Sequence, residues 1–278
     1  MNWHIVSDSS CDLLTLPDCP PNADFSTVPF SIRIGEREFI DDENIPVDEM
    51  LSANEAHGVT AQTACPNPQD WVDRFSEPGP VVAFTISSAL SGSYNSACTA
   101  RRMVQEEAPE KPICVIDTKA TGPETVLIIR EACRLIREGL SPVNLEKALN
   151  EAAAKTHILF ALASYHNLIR AGRVNRLVGL IAGHLHMWGI GMGDDEGKIA
   201  MRAKARGEKN MIRVMAEEIQ KIGLKGREIV ISHCQNEEAA LKLKAKLCEM
   251  YRDLRVDILP TRGLDSFYAE RRGLIVGF

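Results

Sequence analysis

The chain has 278 residues, 45% hydrophobic and 25% charged, which excludes a disordered tail protein, a collagen-like repeat and a coiled coil and leaves room for about two domains. Its 32 Lys and Arg against 38 Asp and Glu leave a formal net charge of -6, which argues against nucleic-acid binding and against adhesion to an anionic membrane. No window approaches the roughly 20 consecutive apolar residues of a membrane span.

The N-terminus reads directly as a strand at residues 4–7, without the basic and apolar regions of a signal peptide. Further strands are expected at 28–34, 81–86, 113–117, 158–163, 229–233 and 256–259. The runs Val81-Val82-Ala83-Phe84-Thr85-Ile86 and Ile113-Cys114-Val115-Ile116 are continuously apolar, as in strands buried on both faces of a parallel sheet. Helices are expected at 68–75, 94–107, 125–138 and 145–155, and in the second half at 165–169, 209–222 and 237–252. Ser141 and Pro142 supply a helix start. Residues 187–192 and 198–204 form a hairpin around Gly193-Asp194-Asp195-Glu196-Gly197. The pattern predicts an α/β fold of two domains. An N-terminal domain over 1–155 has a mostly parallel sheet flanked by helices. A second α/β domain over 156–278 follows, with a last strand able to return to the site between them. Eight scattered cysteines without a C-x-x-C pair, and no export signal, predict reduced thiols in a cytoplasmic protein.

Ligands of open parallel sheets sit at the carboxyl ends of strands. Polar clusters occupy such ends at Asp8-Ser9-Ser10, at Ser87 to Tyr94 and at Asp117-Thr118. Each is also what a helix start requires. The turn Ser91-Gly92-Ser93 offers hydroxyls and backbone N–H groups to an anionic head group. No G-x-S-x-G surrounds Ser91 or Ser93, so a hydrolase elbow is not indicated. The glycine-rich stretch Gly189 to Lys198 lacks the spacing of a phosphate loop, because Met192 and Ile199 stand where a Gly and a Ser/Thr are needed. His184-Leu185-His186 has no Cys or carboxylate partner at metal-site spacing, so no metal is expected. The basic islands around Arg173 and Arg206 are either solvated surface or a docking patch for an acidic partner. The aliphatic run 177–183 either lines an acyl tunnel or packs a helix.

The order of these motifs resembles the DegV family of bacterial fatty acid-binding proteins. Ser7-Asp8-Ser9-Ser10-Cys11-Asp12-Leu13 is similar to its opening D-S-[ST]-x-D-[LV]. Val28-Pro29-Phe30 with Asp41-Asp42 is similar to its next segment, and Thr63-Ala64-Cys65-Pro66 to T-S-Q-P. Ile86 to Ala97 is similar to [IL]-S-S-x-L-S-G-T-Y-x-S-A, and Ile116-Asp117-Thr118, Leu168 to Val174 and Lys204 to Gly207 follow in order. The resemblance implies a long-chain fatty acid held between two domains and presented, without chemistry of its own, to a separate fatty acid kinase that phosphorylates the carboxylate. No other cofactor is implied. Thr63 and Ser91 correspond to the family's carboxylate-holding hydroxyls, with Gly92 and Ser93 beside them. Asp8, Ser9, Ala64 and Asp117 are expected to line the site, and Arg173 and Arg206 to face the kinase. The family's C-terminal histidine has no counterpart; Tyr268 is expected in its place as a hydroxyl, or Arg271 as a charge. The alternative is an enzyme or sensor acting on a small anion at Asp8, Asp117 and Ser91.

Overall fold

A computed structural model of the chain describes residues 2–56, 60–174 and 186–278. Strand β1 (Trp3–Asp8) ends in a single 3₁₀ turn (Ser9–Cys11) and pairs in parallel with β2 (Ala23–Val28). The expected single strand over 28–34 is two elements. Pro29 has no N–H to give a ladder, and the Phe30 amide instead donates to Ser9 Oγ at 3.0 Å, so the chain turns away. It builds a small antiparallel sheet from β3 (Ser31–Ile34) and β4 (Arg37–Ile40), then helix α1 (Val47–Glu55) and the third strand of that sheet, β5 (Ala61–Ala64).

Helix α2 (Pro68–Phe75) starts where local chemistry dictates. The Asn67 side chain accepts from the Gln69 and Asp70 amides, Asp70 reaches back to the Asn67 amide, and Pro68 takes the first position. Then come β6 (Val81–Thr85), α3 (Ser93–Glu107), β7 (Ile113–Asp117), α4 (Gly122–Arg137) and α5 (Pro142–Ala153). The first sheet has the order β2-β1-β6-β7, all parallel. Trp71, Phe75 and Val104 from α2 and α3 cover one face, and Ile129, Leu145 and Leu149 from α4 and α5 cover the other. Burial on both faces is why β6 and β7 are continuously apolar.

The second half opens with β8 (Ile158–Leu162) and the short α6 (His166–Arg170). The expected hairpin is β9 (Met187–Gly193) with β10 (Ile199–Arg206); Asp194 Oδ1 accepts the Glu196 and Lys198 amides and Gly197 takes φ +77°. Helix α7 (Glu208–Ile222), β11 (Glu228–His233), α8 (Glu237–Met250), β12 (Arg255–Pro260), α9 (Gly263–Ala269) and β13 (Leu274–Gly277) complete the chain. These strands form a six-stranded mixed sheet in the order β10-β9-β8-β13-β11-β12. Met211, Met215 and Ile219 of α7 and Leu243 and Leu247 of α8 pack on its face. The last strand, β13, lies inside this sheet, and Gly277 passes so close to the start of α4 that a Cβ there would stand 2.4 Å from the Glu124 amide nitrogen. Among the described residues, no helix is long and apolar enough to cross a membrane. The run 177–183 and His184 lie outside the described residues.

Candidate functional site

In the strand order β2-β1-β6-β7 the connections reverse direction between β1 and β6, the place where open parallel sheets make ligand crevices. Asp8, at the end of β1, ties that gap together. Its Oδ2 accepts the Ile86 amide at 2.9 Å and the Ser93 hydroxyl at 2.6 Å, and its Oδ1 accepts the Ser10 hydroxyl at 2.6 Å. Burial pushes Asp8 up to about 6, against the pull of these donors. The Ser93 hydroxyl, itself buried at the start of α3, is therefore committed to Asp8.

A cavity of about 320 Å³ opens beside this gap. At one end stand three hydroxyls brought from distant segments: Thr63 from β5, Ser91 from the loop before α3, and Tyr268 from α9. Thr63 Oγ1 and the Tyr268 hydroxyl share a hydrogen bond at 2.8 Å, and Ser91 Oγ accepts the Ser93 amide at 3.3 Å. Ala64 and Gly92 also line this end. Further in, the walls are aliphatic and aromatic, including Ile158, Phe160, Leu162, Leu168 and Ile275 from the second half. The lining thus combines a group of hydroxyls with extensive apolar walls, and carries Lys119, Arg173, Lys198 and Asp265 besides, which suits an amphipathic molecule with a polar, anionic end.

Two contacts bridge the halves along its edge. Ser87 Oγ donates to Gly197 O at 2.8 Å and Lys119 Nζ donates to Asp195 O at 2.8 Å, so the β9–β10 turn is held against the ends of β6 and β7. A Cβ at Gly197 would come within 2.3 Å of Ser87 Oγ, which is why only glycine fits there.

Helix α9, which carries Tyr268, is anchored by a residue far away in sequence. Asp41 Oδ1 and Oδ2 accept the Gly263 and Leu264 amides at 2.8 and 2.9 Å, doing for this helix what an N-cap side chain does elsewhere. Arg262 donates to Asp41 O and Leu13 O, and its guanidinium stands 3.6 Å from the Asp41 carboxylate. Burial raises Asp41, while Arg262 and these amides pull it back.

Several expected site residues therefore fall elsewhere. Asp8 and Ser9 do not line the cavity; their oxygens are taken up behind its wall, Ser9 by the Phe30 amide. Ser93 is turned away toward Asp8. Asp117 binds the Ser88 amide and hydroxyl and the Lys119 amide, holding two loops rather than facing the cavity. Arg271 is engaged with Asp48, Glu55 and Gln235 on α1 and beyond β11, so it does not supply a charge to the head of the cavity. Arg173 lines the cavity, donating to Leu90 O at 2.5 Å and Ala171 O at 2.7 Å. Arg206 is exposed at the end of β10, in a separate groove with α7 and α8. Thus Ser91 is not joined in the cavity by either Asp8 or Asp117, as the small-anion alternative expected. Among the described residues no His, Cys, Asp and Glu cluster could hold a metal.

A family model described as "Uncharacterised protein, DegV family" matches residues 2–271. The chain belongs to the DegV family. A DegV domain-containing protein of Streptococcus gordonii is 36% identical over 278 residues, covering 100% of this chain and 99% of the relative. Among solved structures, the fatty acid kinase (Fak) B3 protein of Streptococcus pneumoniae, loaded with linoleic acid, superposes with a TM-score of 0.97 at 34% identity, over 100% of this chain and 99% of its own. A DegV family protein of Eubacterium eligens loaded with heptadecanoic acid gives 0.94 at 32% identity, over 99% and 98%. The α/β architecture expected from the sequence is therefore the family's own.

Residues that sequence reasoning missed support the DegV site, Thr121 and Asp265 from its wall and Asp12, Asp41 and Arg262 from behind it. Asp12, Asp41, Thr121, Arg262 and Asp265 are buried or half-buried and bonded to one another across α4, α9 and the segments after β1 and β4. Asp12 and Asp41 stood inside recognised motifs, but nothing local marked Arg262 or Asp265 as their partners.

Proposed function

We propose that this chain is a fatty acid carrier: it holds one long-chain fatty acid with the carboxylate at Thr63, Ser91 and Tyr268 and the acyl chain among Phe160, Leu162, Leu168 and Ile275. The observation that carries the reading is the cavity itself, hydroxyls at one end and apolar walls beyond, in a DegV fold whose relatives are described with fatty acids bound. Gly92 and Ala64 give the head group room, and Ser93 acts indirectly by fixing the turn that presents Ser91. Neutral hydroxyl donors satisfy a buried carboxylate while leaving its oxygen free to react. Each buried methylene contributes about 0.8 kcal/mol, so the chain supplies most of the affinity.

The acid is presented to a fatty acid kinase, with Arg173 and Arg206 on the kinase-facing side, and the carrier itself performs no catalysis. The protein acts in the cytoplasm, takes no cofactor beyond its lipid, and binds neither nucleic acid nor membrane in an integral way. The two functional halves meet at residues 155 and 156, on either side of the cavity.

The test is denaturing mass spectrometry of an organic extract of the purified protein, never exposed to delipidating conditions. A stoichiometric fatty acid supports the reading and gives the chain length. An empty extract, with no uptake of added palmitate or oleate, sinks it and moves attention to a small polar anion at Ser91.

A further inference from the structure

One wall of the cavity is a carboxyl group, Asp265, only 4% exposed. Its Oδ1 accepts the Thr121 hydroxyl at 2.7 Å, whereas its Oδ2 has no donor among the described residues. Asp12 is in the same condition. Its Oδ1 accepts the Arg262 amide at 2.8 Å; the buried Ser232 hydroxyl is turned toward the carboxyl and lowers its pKa, but Oδ2 has no donor at hydrogen-bond distance among the described residues. The two orphan oxygens converge over Gly122, where a Cβ would stand 2.4 Å from Asp265 Oδ2 and 2.8 Å from Asp12 Oδ2.

Two buried anions facing each other across that gap would repel, and each would keep an unpartnered oxygen. A single proton between them removes both penalties, since one carboxyl becomes the donor the other lacks. The charge that remains sits over the first turn of α4, whose N-cap Thr121 spends its hydroxyl on Asp265 rather than on the helix. Free N–H groups there favour one negative charge. Burial pushes Asp12 up to about 7 and raises Asp265 well above the ordinary carboxylate range, with the Asp12 charge adding to the second effect.

Among the groups that act on Asp12 and Asp265 there is no second cation, and the three cations that also line the cavity are bonded elsewhere, Lys119 to Asp195 O, Arg173 to Leu90 O and Lys198 to Glu196. From the loop after β4 comes the carboxylate of Asp41, a further negative charge. From the start of α9 comes Arg262, already shared with Asp41. Ser232 on β11 is neutral, and Cys11 and Cys234 are thiols that burial keeps protonated.

Asp265 and Tyr268 lie three positions apart on α9, and both line the cavity. We propose that Asp265 is a positioning residue: sharing one proton with Asp12, it fixes α9 and so the Tyr268 hydroxyl at Thr63, and loss of that proton weakens the hold on an anionic ligand. This rests on the carrier reading and adds to it a dependence on pH. A second charge in the cavity wall both repels the ligand carboxylate and pushes α9 from Asp12, so the two effects act in one direction.

The test compares the native protein with Asp265→Asn, whose amide donates to Asp12 with no titratable proton. Affinity for cis-parinaric acid and the ligand-free melting temperature are measured from about pH 6 to about pH 9, and a one-unit difference between free and filled pKa corresponds to roughly tenfold in affinity. Native affinity is expected to fall on the order of tenfold over that range, while the affinity of Asp265→Asn, whatever its level at the acid end, stays flat across it. Equal pH slopes in the two proteins overturn the proposal. Asp12→Asn is the second variant should Asp265→Asn not fold, and the same flattening is expected of it. If the native protein binds no acid at any pH while the substitution still flattens the melting curve, the shared proton stands and the carrier reading falls.

Discussion

The hydroxyls of Thr63 and Tyr268 are 205 positions apart in the chain and 2.8 Å apart in space. The first comes from a strand of the small sheet, the second from a seven-residue helix near the C-terminus, and their contact closes the head of the cavity. Thr63→Val and Tyr268→Phe each remove one donor and strand the other. Each is expected to weaken fatty acid binding by about 1–3 kcal/mol, and Ser91→Ala by a similar amount. The double variant Thr63→Val with Tyr268→Phe should lose less than the sum, because the two share one bond. Fluorescence titration with a long-chain acid reads these losses, and unchanged affinity in all three single variants would remove these hydroxyls from the site.

The body of the cavity gives a prediction about length. Leu162 is 3% exposed, on β8 with its side chain in the cavity wall. Leu162→Trp fills part of the apolar body and overpacks the wall at a cost of roughly 1–3 kcal/mol of stability. Uptake of oleate should fall at least tenfold, whereas octanoate should be affected less. Equal losses for the two acids would mean that the chain does not run past Leu162.

Gly122 makes a prediction about stability. With φ +52° and two carboxyl oxygens where a Cβ would go, Gly122→Ala is strained in its backbone and displaces Asp12 or Asp265. A loss of about 2–4 kcal/mol is expected in denaturant unfolding. By contrast Gly139, also at positive φ but with open space around it, should lose only about 1 kcal/mol on the same substitution.

The buried carboxyls set the pH dependence of the fold. Asp8 is pushed up to about 6, Asp12 to about 7 and Glu124 to about 8, all chiefly by burial. An unfolded aspartate titrates near 4, so between about pH 4 and these raised values the folded chain holds protons that the unfolded chain has lost. Stability contributed by these groups is complete below about pH 4, declines as pH rises through about 6 to 8, and levels off above. Melting temperature across that range checks the sign. Asp8→Asn also replaces an acceptor of Ser10, Ser93 and Ile86 by a group that brings its own donors, and it should cost about 1–3 kcal/mol at neutral pH.

The elements that announced themselves in the sequence are those whose stability is local. Asn67, Pro68 and Asp70 write out the start of α2, and the unbroken apolar runs of β6 and β7 follow from burial on two faces. Helix α9 had no such mark. It starts at Gly263 after an arginine that offers no side-chain cap, and its amides are satisfied by an aspartate 222 positions upstream. The same distance hid the site's support. Thr63 and Ser91 were legible as motif hydroxyls, and the Asp8-Ser9-Ser10 cluster was legible as polar. Which way those side chains face was decided by the β1–β6 junction, which turned Asp8 inward to hold Ile86 and Ser93. The split of residues 28–34 depended on Pro29, visible locally, and on a remote hydroxyl, Ser9, that was not.

The anchoring of α9 by Asp41 also imposes an order of assembly. When residues 263–269 leave the ribosome, the strand before Asp41 has long been made, and the acceptors for the new amides are already in place. A stretch of seven residues is far too short to persist as a helix in water by itself. Helix α9 is therefore finished on a template supplied by a much earlier segment, and the head of the cavity takes shape only after α9 has been made. A nascent chain arrested short of α9 carries Thr63 but not its partner, so premature capture of a lipid by an incomplete carrier is disfavoured by the order in which the polypeptide is made.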